Sequence, residues 1–228
     1  MALRLLFSRN RKKLRYYVAV FTRYWARCFC FFLNVHIDVV GERAPVDGGA
    51  LIVSNHVGSP DIYVLSSCFK AVYVSKDEIK TWPLIGWLTR LGDTVFVDRS
   101  KRRQAPVTIA EIQDRLEDEC SVIIFPEGGA TDGADVLPFK PALFQAAIRA
   151  KRPVLPVTIR YRDSNTPSIA CWYKMSFSRH MLALLRNAKL EVAVCIHPEI
   201  REAEDRRALA DESRRQVRAE YQKLAPHN

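Results

Sequence analysis

The chain has 228 residues, of which 48% are hydrophobic and 26% charged. That balance supports one sizeable core with at most a small appendage, and the charged fraction excludes a polytopic membrane protein. The net charge of +10, from 35 Lys and Arg against 25 Asp and Glu, favours polyanionic partners: anionic lipid headgroups, nucleic acid or an acidic substrate. In chain order, residues 1–13 are basic, with Arg4, Arg9, Arg11, Lys12 and Lys13. Residues 14–35 are crowded with aromatics (Tyr16, Tyr17, Phe21, Tyr24, Trp25, Phe29, Phe31, Phe32), interrupted by Arg15, Arg23 and Arg27. At 100° per residue, Lys12, Arg15, Arg23 and Arg27 share one arc, and Leu14, Val18, Phe21, Trp25, Cys28 and Phe32 lie opposite. This predicts an amphipathic helix with a basic polar face, suited to the headgroup boundary of a bilayer. No run of 18 apolar residues exists, so a membrane-crossing helix is not expected. No small-residue cleavage site follows the apolar stretch, so a secretory signal is not expected either.

Beyond Gly41, short apolar runs alternate with amphipathic stretches. Residues 50–54, 71–75, 94–97, 121–125, 154–159 and 190–196 read as strands, and residues 62–68, 106–118, 142–149 and 202–224 as helices. Strands that are apolar throughout, separated by helices, predict an α/β fold: a mostly parallel central sheet flanked by helices. The N-terminal amphipathic, membrane-associating helix is added to it. The expected division is 1–35 for that helix and 36–228 for the domain. The six cysteines, at 28, 30, 68, 120, 171 and 195, lack C-x-x-C or zinc-finger spacing and read as free thiols in a reducing compartment.

Chemistry-bearing residues gather where strands end. The first strand runs into Asn55-His56-Val57-Gly58-Ser59-Pro60-Asp61. Ser59 is placed to cap the next helix, with Pro60 and Asp61 in its first turn. Gly58 lets the chain fold back so that His56 can meet Asp61 in a base–orienter pair. With no G-x-S-x-G motif, the attacking hydroxyl is expected to be the substrate's own. Phe125-Pro126-Glu127-Gly128 follows another apolar strand, Asp98-Arg99 a third, and Phe139-Lys140 could bring an ammonium to the same mouth. Val154-Leu155-Pro156-Val157 places a proline inside a strand, which predicts an edge or a strand end. Nothing has metal-ligand spacing, and the basic–aromatic cluster is terminal and amphipathic, which argues against nucleic acid.

Taken in order, Asn55-His56…Asp61, Gly92 to Arg99 (GDTVFVDR), Phe125 to Gly128 (FPEG) and Val154 to Val157 resemble the four motifs of the glycerolipid acyltransferase family, typified by 1-acylglycerol-3-phosphate acyltransferase. The stretch from Ser75-Lys76 to Pro83-Leu84-Ile85-Gly86 is also similar, and the likeness covers about residues 36–197. The resemblance implies O-acyl transfer from acyl-CoA or acyl carrier protein to a lysophospholipid at the cytoplasmic face of a membrane. No metal or cofactor is implied beyond the donor. It assigns His56 as general base, Asp61 as its orienter, and Asn55, Arg99, Glu127, Gly128 and Lys140 to the substrate site. After Gly128 the family commonly continues Thr-Arg-Ser, whereas this chain reads Gly129-Ala130-Thr131. That loop, with Cys171-Trp172-Tyr173 and Met175-Ser176-Phe177 downstream, looks more like members that acylate other lysolipids, including lyso-ornithine lipid. The expected acceptor is 1-acyl-sn-glycerol-3-phosphate, giving phosphatidic acid, with lyso-ornithine lipid as the alternative. A non-catalytic basic lipid-binding protein is the third reading.

Overall fold

The computed structural model describes residues 11–41, 48–82, 85–98, 104–163, 167–172, 175–203 and 205–224. Its strands are β1 (Val35–Val40), β2 (Leu51–Ser54), β3 (Ala71–Lys76), β4 (Val95–Val97), β5 (Ser121–Ile124), β6 (Val154–Tyr161) and β7 (Leu190–Ile196). Every residue of β2 and β5 is buried, as a strand covered on both faces requires. The strands form one sheet in the order β1-β7-β6-β2-β5-β3-β4. All neighbouring pairs are parallel except β6 and β7, which run antiparallel. The expected α/β fold with a mostly parallel sheet is the one observed.

The helices are α1 (Arg11–Phe32), α2 (Pro60–Cys68), α3 (Ile85–Leu91), α4 (Ala105–Glu117), α5 (Gln145–Ala150), α6 (Phe177–Arg186) and α7 (Arg206–Lys223). Alternation along the strands divides the core in two. Leu51, Val53, Val122, Ile124 and Val154 face Ile112 and Leu116 of α4, Phe144 and Val217 of α7. Ile52, Ile123, Leu155, Val157 and Ile159 face Val64 and Leu65 of α2 and Leu184 of α6. The predicted helix at 142–149 begins as a 3-10 turn, Pro141–Phe144, before α5.

Three elements were not expected: β1, α3 and α6. β1 alternates half-buried and exposed residues because it is the sheet's edge, so its run is never fully apolar. Pro156 was expected at an edge or strand end and instead sits inside β6, between β2 and β7. The strand accommodates it because β7 pairing begins only at Val157, and Pro156 needs only its carbonyl, which accepts the His197 N–H at 3.1 Å.

The faces of α1 are distributed differently from the expectation. The basic arc turns toward the domain. Arg15, with 11% of its side chain exposed, binds Asp93 at 3.3 Å and Asp114 and Asp118 at 2.5 Å each. Arg23 and Arg27 both donate to the Ser67 carbonyl at the end of α2. Ala19, Ala26 and Cys30 are buried between them, small enough to let α1 lie close on α2 and β3. The cause is the supply of acceptors: acidic side chains and a helix C-terminus lie under that arc. The opposite stripe, Tyr17, Phe21, Tyr24, Phe31 and Phe32, is left exposed. No helix among the described residues is long and apolar enough to cross a membrane. Arg4 and Arg9 lie outside the described residues, as do Pro83, Leu84 and Tyr173.

Candidate active site

The corner between β2 and α2 brings His56 and Asp61 together. His56 Nδ1 lies 2.7 Å from Asp61 Oδ2. The same Asp61 oxygen accepts the backbone N–H of Val57 at 2.7 Å and of Gly58 at 3.0 Å. Its other oxygen, Oδ1, accepts the hydroxyl of Tyr161 at 2.7 Å. Asp61 is fully buried, and four donors with no acceptor fit a carboxylate, which can only accept. The bond to Asp61 fixes the proton on Nδ1 and leaves the Nε2 lone pair free. Nε2 has no hydrogen-bond partner among the described residues, and the side chain keeps 16% of its surface exposed. The ring lies flat on Phe125, centroids 4.0 Å apart at 15°.

The turn is held by close backbone contacts. A Cβ on Gly58 would collide with the Ala170 carbonyl, so glycine is needed there for proximity. Trp172 N–H bonds the Val57 carbonyl at 3.1 Å, tying the 168–172 segment to the corner. Ser59 was expected to cap α2, but its side chain makes no cap. Its hydroxyl instead meets Nε2 of the buried His180 on α6 at 2.9 Å. His180 in turn stacks on Trp172 and loses proton affinity through burial.

Glu127 reaches the same corner through the backbone. Its Oε1 accepts the His56 N–H at 2.6 Å, and Oε2 accepts the Leu137 N–H at 3.0 Å. Burial pushes its pKa up to about 7, against the lowering effect of those two donors. Glu127 therefore positions His56 and the following loop. Asn55, expected in the substrate site, makes structural bonds here. Asn55 is buried and its amide exchanges two 2.9 Å bonds with the backbone of Ile159, extending the β2–β6 pairing past the end of β2. Its oxygen and its nitrogen are both engaged there.

Gly128 has φ +93°, a conformation glycine adopts freely, and any side chain there would strike the Lys140 ammonium. The structure thus brings Gly128 and the exposed Lys140 together, with Lys140 N–H bonding the Pro126 carbonyl. Arg99 lies outside the described residues. The loop after Gly128 is clamped at both ends. Thr131 bonds the His56 carbonyl through its N–H and its hydroxyl. From α7, Tyr221 donates to the Gly133 carbonyl, Arg218 grips Asp135 at 2.7 Å, and Arg214 donates to the Val136 and Leu137 carbonyls.

Sequence reasoning missed Tyr161, His180 and the α7 clamp. Tyr161 is the last residue of β6, and strand register was the one signal for it. Ser54 ends β2 opposite Val157, and β6 continues beyond that level into the space above β2 where Asp61 sits.

Comparison with known proteins agrees with this architecture. The Acyltransferase family model matches residues 36–160. The lyso-ornithine lipid O-acyltransferase of Rhodobacter capsulatus is 36% identical over 180 residues, 73% of this chain. The match spans 65% of that protein, a little under two thirds of its length. The 1-acyl-sn-glycerol-3-phosphate acyltransferase of Neisseria gonorrhoeae is 33% identical over 82% of this chain and 75% of its own. The crystal structure of the 1-acyl-sn-glycerophosphate (LPA) acyltransferase PlsC from Thermotoga maritima shares the fold. Its TM-score is 0.74 at 22% identity, covering 100% of this chain and 88% of that one. On the family match over more than half of the sequence, this chain belongs to the Acyltransferase family.

Proposed function

We propose that this protein transfers a fatty acyl group from an acyl-CoA or acyl carrier protein thioester to the hydroxyl of a lysolipid. The observation that carries this reading is the His56–Asp61 pair, 2.7 Å apart, with Nε2 unengaged at a partly exposed edge. Nε2 takes the proton of the acceptor hydroxyl, and the resulting oxygen nucleophile attacks the thioester carbonyl. Collapse of the tetrahedral intermediate breaks the C–S bond. The thiolate recovers the proton from His56, and an ester and a free thiol leave. Asp61 holds the ring and offsets the charge of the imidazolium.

The acceptor best supported is a lysolipid whose headgroup is not a phosphomonoester, with lyso-ornithine lipid as the specific candidate. Ala130 stands where the family commonly has an arginine, and relatives from Rhodobacter capsulatus and Rhizobium meliloti carry that activity in their names. Lysophosphatidic acid is the second reading, favoured by the Neisseria gonorrhoeae relative and by Arg99 at its motif position. A panel of lyso-acceptors with one acyl-thioester donor separates the two. Turnover of lysophosphatidic acid without turnover of lyso-ornithine lipid would reverse the order, and no transfer to any acceptor would sink both.

The same reading places the protein at the cytoplasmic face of a membrane. The exposed stripe of Tyr17, Phe21, Tyr24, Phe31 and Phe32 runs along one side of α1, opposite the side that docks on the domain. Aromatics aligned this way suit burial at the headgroup boundary.

A further inference from the structure

Asp61 is held unevenly. Three donors, His56 Nδ1 and the N–H groups of Val57 and Gly58, converge on Oδ2, and all belong to the same short turn. Oδ1 has one partner among the described residues, the Tyr161 hydroxyl, which comes from a strand 100 residues away. The local donors fix the carboxylate relative to its own turn, and all of them move with that turn. The remote donor on Oδ1 ties it to the sheet. Tyr161 is suited to that task because β6 is rigid. Tyr161 pairs with Val192 of β7, and its neighbour Ile159 is bonded on the β2 side by Asn55. The ring itself is buried in the apolar layer under α2. Burial and the nearby Asp61 charge push the phenol well above its usual range, so it stays a neutral donor.

We infer that Tyr161 is a positioning residue for acyl transfer, acting through Asp61: its hydroxyl anchors the carboxylate to β6 and draws charge from it, and so tunes how strongly His56 holds a proton. The inference rests on the general-base reading of His56. A donor on Oδ1 stabilises the carboxylate and weakens its hold on the imidazolium. Removing that donor leaves Asp61 a stronger acceptor toward His56. Other titratable groups feel the Asp61 charge: Glu127 beyond β5, Tyr73 on β3, Cys171 on the 168–172 segment, His180 on α6 and Tyr221 on α7. Neither of the hydrogen bonds that engage Glu127 involves Tyr161, so its contribution stays where it is when that hydroxyl is lost.

The test is acyl transfer by the full chain with an acyl-CoA donor and the best acceptor from the panel. Tyr161→Phe keeps the ring and should lower kcat about tenfold with KM within twofold, since one hydrogen bond to a charged group is lost. The acid limb of its kcat profile should move to higher pH. Replacing Tyr161 alone with 3-fluorotyrosine, a stronger donor of nearly the same shape, should move that limb the other way and keeps the test open should the Phe variant not fold. In an Asp61→Asn background, Tyr161→Phe should add almost nothing. An unchanged kcat and pH profile in Tyr161→Phe, or a full tenfold loss persisting with Asp61→Asn, would overturn the inference. His56→Ala run in parallel distinguishes the two levels: if it retains turnover, the general-base reading has failed, whatever Tyr161 does.

Discussion

Arg15 and Asp61 are both charged groups drawn largely out of water, and they are satisfied in opposite ways. Arg15 is one cation among three carboxylates, Asp93, Asp114 and Asp118, from the turn before β4 and from α4 and its end. Arg11 and Arg115 between them reach all three of those acids, so the network has spare partners. Asp61 is one anion among four donors, each with its own direction and none duplicated. Redundancy suits docking, where a helix must stay attached and small shifts are harmless. A unique set of bonds suits a reaction centre, where a rotation of the carboxylate misdirects the base. Loss of a member should therefore cost stability at Arg15 and rate at Asp61.

The largest effect expected is catalytic. His56→Ala should lower kcat by roughly 10³-fold, within the range of general-base catalysis, with the thermal midpoint little changed. A loss of less than tenfold would remove the corner from the mechanism. Next comes Arg15→Leu, which leaves three acids around an apolar side chain. Unfolding free energy should fall by about 3 kcal/mol in denaturant melts, while turnover per folded molecule stays near normal. A matching loss of kcat would erase the distinction between the two networks.

The third prediction concerns Glu127, whose pKa burial raises to about 7 in the folded protein from its ordinary 4.5. In that window the folded state holds a proton that the unfolded chain has released. Its contribution to stability is therefore full below about pH 4.5 and lost as pH rises through about 7. The loss is on the order of 3 kcal/mol. Glu127→Gln should flatten that slope of stability against pH, and an unchanged slope would show that another group produces it. The smallest effect is Ser59→Ala, which removes the partner of His180 and should cost about 1 kcal/mol with kcat within threefold.

The legible and illegible parts of the molecule differ in how local their causes are. β2 and β5 were readable because a strand buried on both faces is apolar at successive positions, and β7 because Glu191 alone interrupts its apolar run. The β2–α2 corner was readable because His56, Gly58 and Asp61 lie within six residues, and the geometry that joins them is a single turn. β1 was missed because an edge strand needs only half of its residues to be apolar. The basic face of α1 was read as a polar face at lipid headgroups because Asp93, Asp114 and Asp118 are 78 to 103 residues away from Arg15, and helical periodicity says nothing of what a face meets. Ser59 failed as a cap for the same reason, since His180 lies 121 residues away. The bonds of Tyr161 and Asn55 were not foreseen because they depend on the register between β2 and β6.

That register has a consequence for assembly. Asn55 is bonded to Ile159, Asp61 to Tyr161 and His56 to Glu127 across separations of 104, 100 and 71 residues. A ribosome that has released the whole of 55–61 has made every atom of the turn and none of its long-range supports. The His56–Glu127 bond needs only β5 beside β2, but the Asn55 and Asp61 bonds close only when β6 inserts between β2 and the later β7, a step of high contact order. Until then the buried carboxylate has no burial to enter. The candidate site is accordingly incomplete until β6 has formed, and a nascent chain that ends before Tyr161 carries the motif without the supports of Ile159 and Tyr161.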